Sequence, residues 1–390
     1  MPALAGLNRL RRPALAAACV GLLITLIGAW LDLDQFFRAY LFGWLFWAGV
    51  ALGCLAIVMI QHVTGGAWGL VIRRILEAAT RTLPWMALLF VPLLFGLPRL
   101  YAWARPGEVA ADPLLQHKQP YLNVSFFTVR AAIYFASWIG LVWLLNRMSR
   151  AQDKTGDEKL VRRFQLVSAP GLLLFVLTMT FASVDWVMSL EPHWFSTIYG
   201  VLLMSGMAVS AFSFAIAMLV LLAREEPLSG VITANHMHDL GKLLFAFVMV
   251  WAYFALSQFL IAYGGNLPEE IPWYLRRLQG GWEWVGLAVI LLHFALPFLL
   301  LLMRRVKRDA GRLVKVALLV FGIRIVDLYW MMAPAWGEPG RFQVHWLDIG
   351  APVALGGFWL WLFARELGRM PLLPMRDPYL QEALSDGHES

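Results

Sequence analysis

The chain has 390 residues, 60% of them hydrophobic and 15% charged, with a mean hydropathy of +0.66. Soluble domains are nearer half apolar and a quarter charged, so the composition excludes a water-soluble enzyme and indicates an integral membrane protein. The formal net charge of +7 then belongs to a rim facing anionic lipid, not to a nucleic-acid surface.

Apolar blocks of about 20 residues, enough for a helix to cross a hydrocarbon core of roughly 30 Å, recur along the chain. They predict ten transmembrane helices over 13–31, 40–62, 82–101, 124–146, 165–190, 194–223, 240–263, 282–303, 313–333 and 346–366. The first block follows "LNRLRR" but is too long for a signal h-region. It ends in "GAWLDLD" with no small-residue cleavage site, so it reads as a retained helix. Between the second and third blocks, "AWGLVIRRILEAATR" places Trp68, Val71, Ile72, Ile75, Leu76 and Ala79 on one stripe, with Arg73, Arg74, Glu77 and Arg81 on another. That periodicity predicts an amphipathic helix lying in the inner interface, or alternatively an extension of the third helix. The third block is interrupted by Pro84, Pro92 and Pro98, which membrane helices tolerate when neighbours satisfy the freed carbonyls. After the tenth block, 367–390 is Pro-broken and then acidic, and reads as a tail on the cytoplasmic surface or a disordered one.

Most of the 32 Lys and Arg residues fall in loops on the N-terminal side, whereas the opposite side holds Arg38, Arg99, Arg105, Lys118, Arg276, Arg277 and Arg341. The positive-inside rule therefore puts both termini in the cytoplasm. Cys19 and Cys54 are the only cysteines, which leaves no Fe–S or CxxCH haem framework. His62 and His293 lie at unmatched depths for a haem b. His236 and His238 in "NHMHD" read as a helix start capped by Asn235 rather than as a metal site. No covalent or metal-ligated cofactor is expected on this chain.

The informative residues are the polar groups inside the apolar blocks. At ~1.5 Å per residue, Arg130, Asp185, Gln258 and Asp327 fall five or six residues below the outer ends of their helices. Glu283 opens the eighth helix at that face; Arg324 is a turn deeper than Asp327, and His293 is deeper still. A charge at mid-helix costs ~2.5–3.5 kcal/mol even on lenient scales, so such groups face a bundle interior or a wet cavity. One reading is ion pairing that orients helices, through Arg324 with Asp327 and Arg130 with Asp185. The other is that buried carboxylates hold and release protons, with Asp185 and Glu283 as the stronger carriers because Asp327 has a partner at i−3. Ser205, Ser210 and Ser213 on helix six, with Thr178, Thr180 and Ser183 on helix five, would extend such a path unless they bond back to their own helices.

Three segments carry a resemblance: "TGGAWGLVIRRILEAATRTLP" (64–84), "FASVDWVMSLEPHWFSTIYG" (181–200) and "GGNLPEEIPWYLRRLQGGWEW" (264–284). They resemble the F-type membrane subunit of bacterial alternative complex III, a quinol:cytochrome c oxidoreductase, which is similar to the NrfD-like polysulfide-reductase membrane anchors. The resemblance implies an all-α fold of ten helices in the bacterial inner membrane. Helices two to five and six to nine would form two four-helix bundles, with helices one and ten peripheral. The corresponding divisions are 40–146, 165–333 or 194–333, and the tail 367–390.

It also implies partners: a paralogous NrfD-like subunit, a periplasmic Fe–S subunit, c-type cytochromes carrying haem c, and in some cases a terminal oxidase. The 264–284 segment would then be an outer docking surface, or else an ordinary interfacial loop with an aromatic belt. Two roles stay open for the chain. It supports quinol oxidation by a partner and conducts protons, or it holds quinone or quinol itself, with Asp185, His293 or the outer pair Glu191 and His193 as acceptors. A reading of another class is a secondary transporter with a site at broken helices.

Overall fold

In hydrocarbon every backbone N–H and C=O must find an internal partner, which leaves a helix as the available solution for each apolar block. The computed structural model describes residues 5–226, 228–337 and 341–380, and these contain no strand. Ten helices are long and apolar enough to cross a membrane. They are α1 (Gly6–Leu31), α2 (Leu33–Thr64), α3 (Leu70–Phe95), α4 (Val124–Thr155), α5 (Lys159–Leu190), α6 (Tyr199–Leu222), α7 (Ala234–Gly265), α8 (Trp282–Leu302), α9 (Ala310–Ala335) and α10 (Leu347–Leu367). The chain is a multi-pass membrane protein.

The helix ends follow local chemistry. Asp32 caps α2 through the Gln35 amide (3.0 Å), Asn123 caps α4 through Phe126 (2.8 Å) and Asp309 caps α9 through Arg312 (2.8 Å); each accepts from an amide left free by the first turn. The cap of α7 is Thr233, not the expected Asn235, and His236 completes a reciprocal capping pair with it. Gly156 stops α4 in the left-handed region at φ 66°, which costs glycine nothing sterically. Several helices run past the apolar blocks, among them α4, whose last turns carry Arg147, Arg150 and Lys154.

Two helices are central. α2 packs against α3 and α5, and α4 against the same two, which closes one ring of contacts. α6 packs against α7 and α9, and α8 against the same two, which closes a second. The rings meet where α2 crosses α6, and α1 pairs with α10 on one flank. The crossing depends on small residues that let backbones approach: a methyl built on Gly53 would lie 2.2 Å from the Met207 carbonyl oxygen.

The stretch predicted to lie in the membrane interface does not do so. Leu70–Thr80 forms the first part of α3 and is buried on every side. Its polar stripe faces protein. Arg73 donates to Glu77 (2.9 Å), to Gln152 (3.1 Å) and to Asp377 (2.7 Å), while Arg74 donates to Glu77 (2.8 Å) and Ser149 (2.7 Å) and pairs with Asp153. Asp377 belongs to the C-terminal tail, so residues 368–380 fold back over the end of the α2–α5 ring; the remainder of the tail, 381–390, lies outside the described residues. Both the amphipathic period and the burial are real. The polar stripe meets Asp377 and the end of α4 instead of water.

Candidate functional site

The intramembrane polar residues gather into two centres, one in each ring, toward the same end of the molecule. In the first, α4 and α5 run antiparallel and bring Arg130 opposite Asp185. The pair is bidentate, with Nε to Oδ2 at 2.9 Å and Nη2 to Oδ1 at 2.8 Å. Tyr134 Oη donates to the same carboxylate at 2.8 Å, and the third guanidinium nitrogen donates to the Tyr121 carbonyl at 2.8 Å. Tyr121 and Phe126 flank the guanidinium at 3.9 and 4.3 Å from their ring centres, an arrangement stabilised by the ring quadrupoles. Asp185 is fully buried. Beneath it, Trp186 packs on Trp44 (5.0 Å) and Phe90 (5.4 Å), an apolar aromatic floor.

Beside this centre opens a cavity of about 440 Å³ whose wall includes Lys118, Tyr121, Val184, Ser189, Trp194 and Phe195. Tyr121 belongs to both, and Ser189 Oγ donates to the Asp185 carbonyl at 2.6 Å. Lys118 reaches across the mouth to the Pro192 carbonyl at 2.5 Å. Burial holds its ammonium below the usual lysine range, against the pull of Asp112. Burial also pushes the Tyr121 phenol up, and the Asp185 charge adds to that, so Tyr121 stays a neutral phenol.

The second centre lies among α6, α7, α8 and α9. Arg324 Nη1 pairs with Asp327 Oδ2 on α9, and both are buried. His293 Nδ1 stands 3.8 Å from the same Asp327 oxygen, and its ring is 4.0 Å from that of Trp251. Neither His293 ring nitrogen has a hydrogen-bond partner among the described residues. Helix α8 is irregular here: Ile290–Ala295 forms a π turn before Leu296 and Pro297. Proline has no N–H to give the carbonyl four residues back, which is that of His293, and the wider turn accommodates this. The Arg324 guanidinium fits only because residue 206 is glycine, where a methyl would come within 2.4 Å of it. A void of about 10 Å³ beside Arg324, Ser210 and Gly49 has room for roughly one water.

The other sequence candidates fall elsewhere. Glu191 and His193 do not pair. Glu191 binds Arg276 (3.1 Å) and Arg277 (2.7 Å), while His193 faces Asp112 at 2.7 Å. Adjacent positions in an irregular loop point their side chains in different directions. Arg277 is wholly buried; it also donates to the carbonyls of Trp273 (2.8 Å), Trp330 (3.1 Å) and Met331 (2.8 Å) and lies 3.7 Å over the Trp273 ring. Burial lowers its pKa, with Glu191 opposing. This clamp fixes 266–281 to the end of α9. Glu283 joins neither centre: its carboxylate accepts from the Gly281 amide at 2.8 Å and caps the start of α8.

The proposed hydroxyl path is discontinuous as well. Ser205, Ser210, Thr178, Thr180 and Ser183 each donate to a carbonyl of their own helix. Tyr134, Tyr121 and Trp251 were not singled out from sequence, although each lies about a turn or more from a polar or ring partner that only the fold brings close. The pairing of His293 with Asp327 was likewise not expected, because His293 was placed too deep. No protein-family model matches the chain, and no curated protein matches it.

Proposed function

We propose that this protein is an integral membrane subunit of a respiratory quinol:cytochrome c, or quinol:oxidase, electron-transfer complex of the bacterial inner membrane, with both termini cytoplasmic. The observation that carries the reading is the Arg130–Asp185–Tyr134 centre set against a cavity of about 440 Å³. Quinol oxidation needs an apolar slot that admits a ring, a polar group to fix its hydroxyl, and a route for the released protons. Trp194, Phe195, Tyr121 and Ser189 fit the slot, and Asp185, behind Tyr121 and Ser189, fits the polar anchor. With no metal ligand set expected on the chain, the electrons would pass to haem c and Fe–S centres of partner subunits, among them a periplasmic Fe–S subunit, c-type cytochromes and a paralogous NrfD-like subunit. The two closed rings of contacts, α2–α5 and α6–α9, fit the NrfD-like arrangement of two four-helix bundles with α1 and α10 outside.

The cavity favours direct quinol or quinone binding on this chain over a purely supporting role. The second centre, beside a void of about 10 Å³, fits proton handling or helix orientation. Asp185→Asn tests the reading in the assembled complex. Quinol-driven cytochrome reduction, expressed per haem of assembled complex so that any loss of assembly is divided out, is expected to fall at least tenfold. Unchanged turnover with unchanged proton stoichiometry would remove Asp185 from the reaction.

A further inference from the structure

At the end of the molecule opposite the two centres, α7 begins "ANHMHDLGKLLF" (234–245). His238, Gly241, Lys242 and Phe245 recur at i, i+3, i+4 and i+7, so they form one stripe of the helix. The hairpin that joins α8 to α9, "MRRVKR" (303–308), packs against this stripe. Lys307 does not extend into water. A methyl built on Gly241 would meet its Cγ at 2.7 Å, so the stem lies flat on α7, and its Nζ ends 6.0 Å from the centre of the Phe245 ring. Phe245 in turn packs on Phe298 of α8 at 5.5 Å.

The nearby carboxylates are committed. Asp239 binds Lys242 at 3.0 Å, and Asp309 caps α9. Arg304, Arg305 and Lys307 have no carboxylate partner among the described residues. His238 Nδ1 is buried with no hydrogen-bond partner among the described residues. Burial, and after it the charge of Lys242, hold the Lys307 ammonium below the usual lysine range. Half-exposed Lys307 and exposed Arg304 and Lys242 surround the His238 ring, and an anion among them would relieve their mutual repulsion. On the membrane side, Leu302, Met303 and Met249 are exposed. The cleft thus offers charge above and apolar surface below.

We propose that this cleft between α7 and the α8–α9 hairpin binds the headgroup phosphate of one anionic phospholipid. Lys307 and Arg304 supply the charge, His238 Nδ1–H supplies a hydrogen bond, and the acyl chains lie on Leu302, Met303 and Met249. Basic pockets between transmembrane helices at the cytoplasmic level select anionic lipid in this way, and the buried stem of Lys307 lessens screening by salt.

The test is native mass spectrometry of the full-length chain in detergent, titrated with phosphatidylglycerol or phosphatidylcholine of matched acyl chains. One phosphatidylglycerol should be retained in preference to phosphatidylcholine. Lys307→Gln should weaken its retention about fivefold, Lys307→Arg should restore it, and His238→Gln should weaken it further. Removing two exposed charges elsewhere on the basic rim, with Arg162→Gln and Arg163→Gln, should leave it unchanged. The proposal fails if the two lipids are retained equally, if the rim variant weakens binding as much as Lys307→Gln, or if Lys307→Arg behaves like the glutamine. Displacement of the lipid by millimolar inorganic phosphate would assign the site to a free anion and overturn the lipid assignment.

Discussion

Replacing Arg130 by methionine keeps the length of the stem but strips Asp185 of its two charged hydrogen bonds at 2.9 and 2.8 Å, leaving Tyr134 as the one remaining side-chain donor. The bond to the Tyr121 carbonyl and the stacking on Tyr121 and Phe126 are lost as well. Breaking a buried pair by removing one partner costs about 3–5 kcal/mol, because the other charge stays buried. An exposed pair is worth about 0–1 kcal/mol; Arg99 with Asp34, whose side chains are 45% and 50% exposed, is the internal control. The double variant Arg130→Met/Asp185→Leu removes both charges and is expected to be more stable than the sum of the single effects by about 2–3 kcal/mol. Reversible unfolding in mixed micelles of dodecyl sulfate and a mild detergent, followed by tryptophan fluorescence, measures all four corners of the cycle. If Arg130→Met costs no more than Arg99→Met, or if the double variant is simply additive, the pair is not the buried, mutually dependent unit described above.

Asp327→Asn removes the charge that pairs with Arg324, and is expected to lower the yield of assembled complex more than the turnover of what assembles. Comparing haem content with quinol-driven turnover separates the two, and a normal yield with abolished turnover would make Asp327 part of the chemistry. Lys118, its ammonium destabilised by burial, should react with an amine-directed acylating reagent at lower pH than exposed Lys159 and Lys242. Between its lowered pKa and the ordinary value near 10.4, the unfolded chain binds more protons than the folded one. Stability should therefore rise with pH across that window. Equal labelling profiles for the three lysines would show that Lys118 is not desolvated.

Hydropathy alone located all ten helices, because a block of about 20 apolar residues has few other stable fates. It placed their ends less well. The last turns of α4 are too charged to score as membrane, yet they stay helical and supply Ser149, Gln152 and Asp153 to the Arg73–Arg74–Glu77 network. The same network explains why Leu70–Thr80 was misplaced. Periodicity reports that a polar stripe exists, not what it faces, and Asp377 is some 300 positions away in the chain. Arg130 and Asp185 could be matched because both lie near the ends of regular, consecutive helices, where counting residues gives depth. His293 could not, since counting at a constant rise ignores the π turn in α8. Glu283 looked like an intramembrane acid from its neighbours, but its carboxylate is used within its own first turn. Nothing in the local sequence announces the cavity beside Tyr121, which is lined by the loop before α4, the end of α5 and the loop after it.

The most direct test of the central claim is to purify the tagged full-length protein from its native membranes in mild detergent, without further separation of subunits, and to add a short-chain quinol. c-Type haem absorbance is expected to co-purify with the chain and to be reduced by the quinol, more slowly when Asp185 is asparagine. A colourless, monodisperse single chain carrying a bound solute would contradict it and favour a transporter.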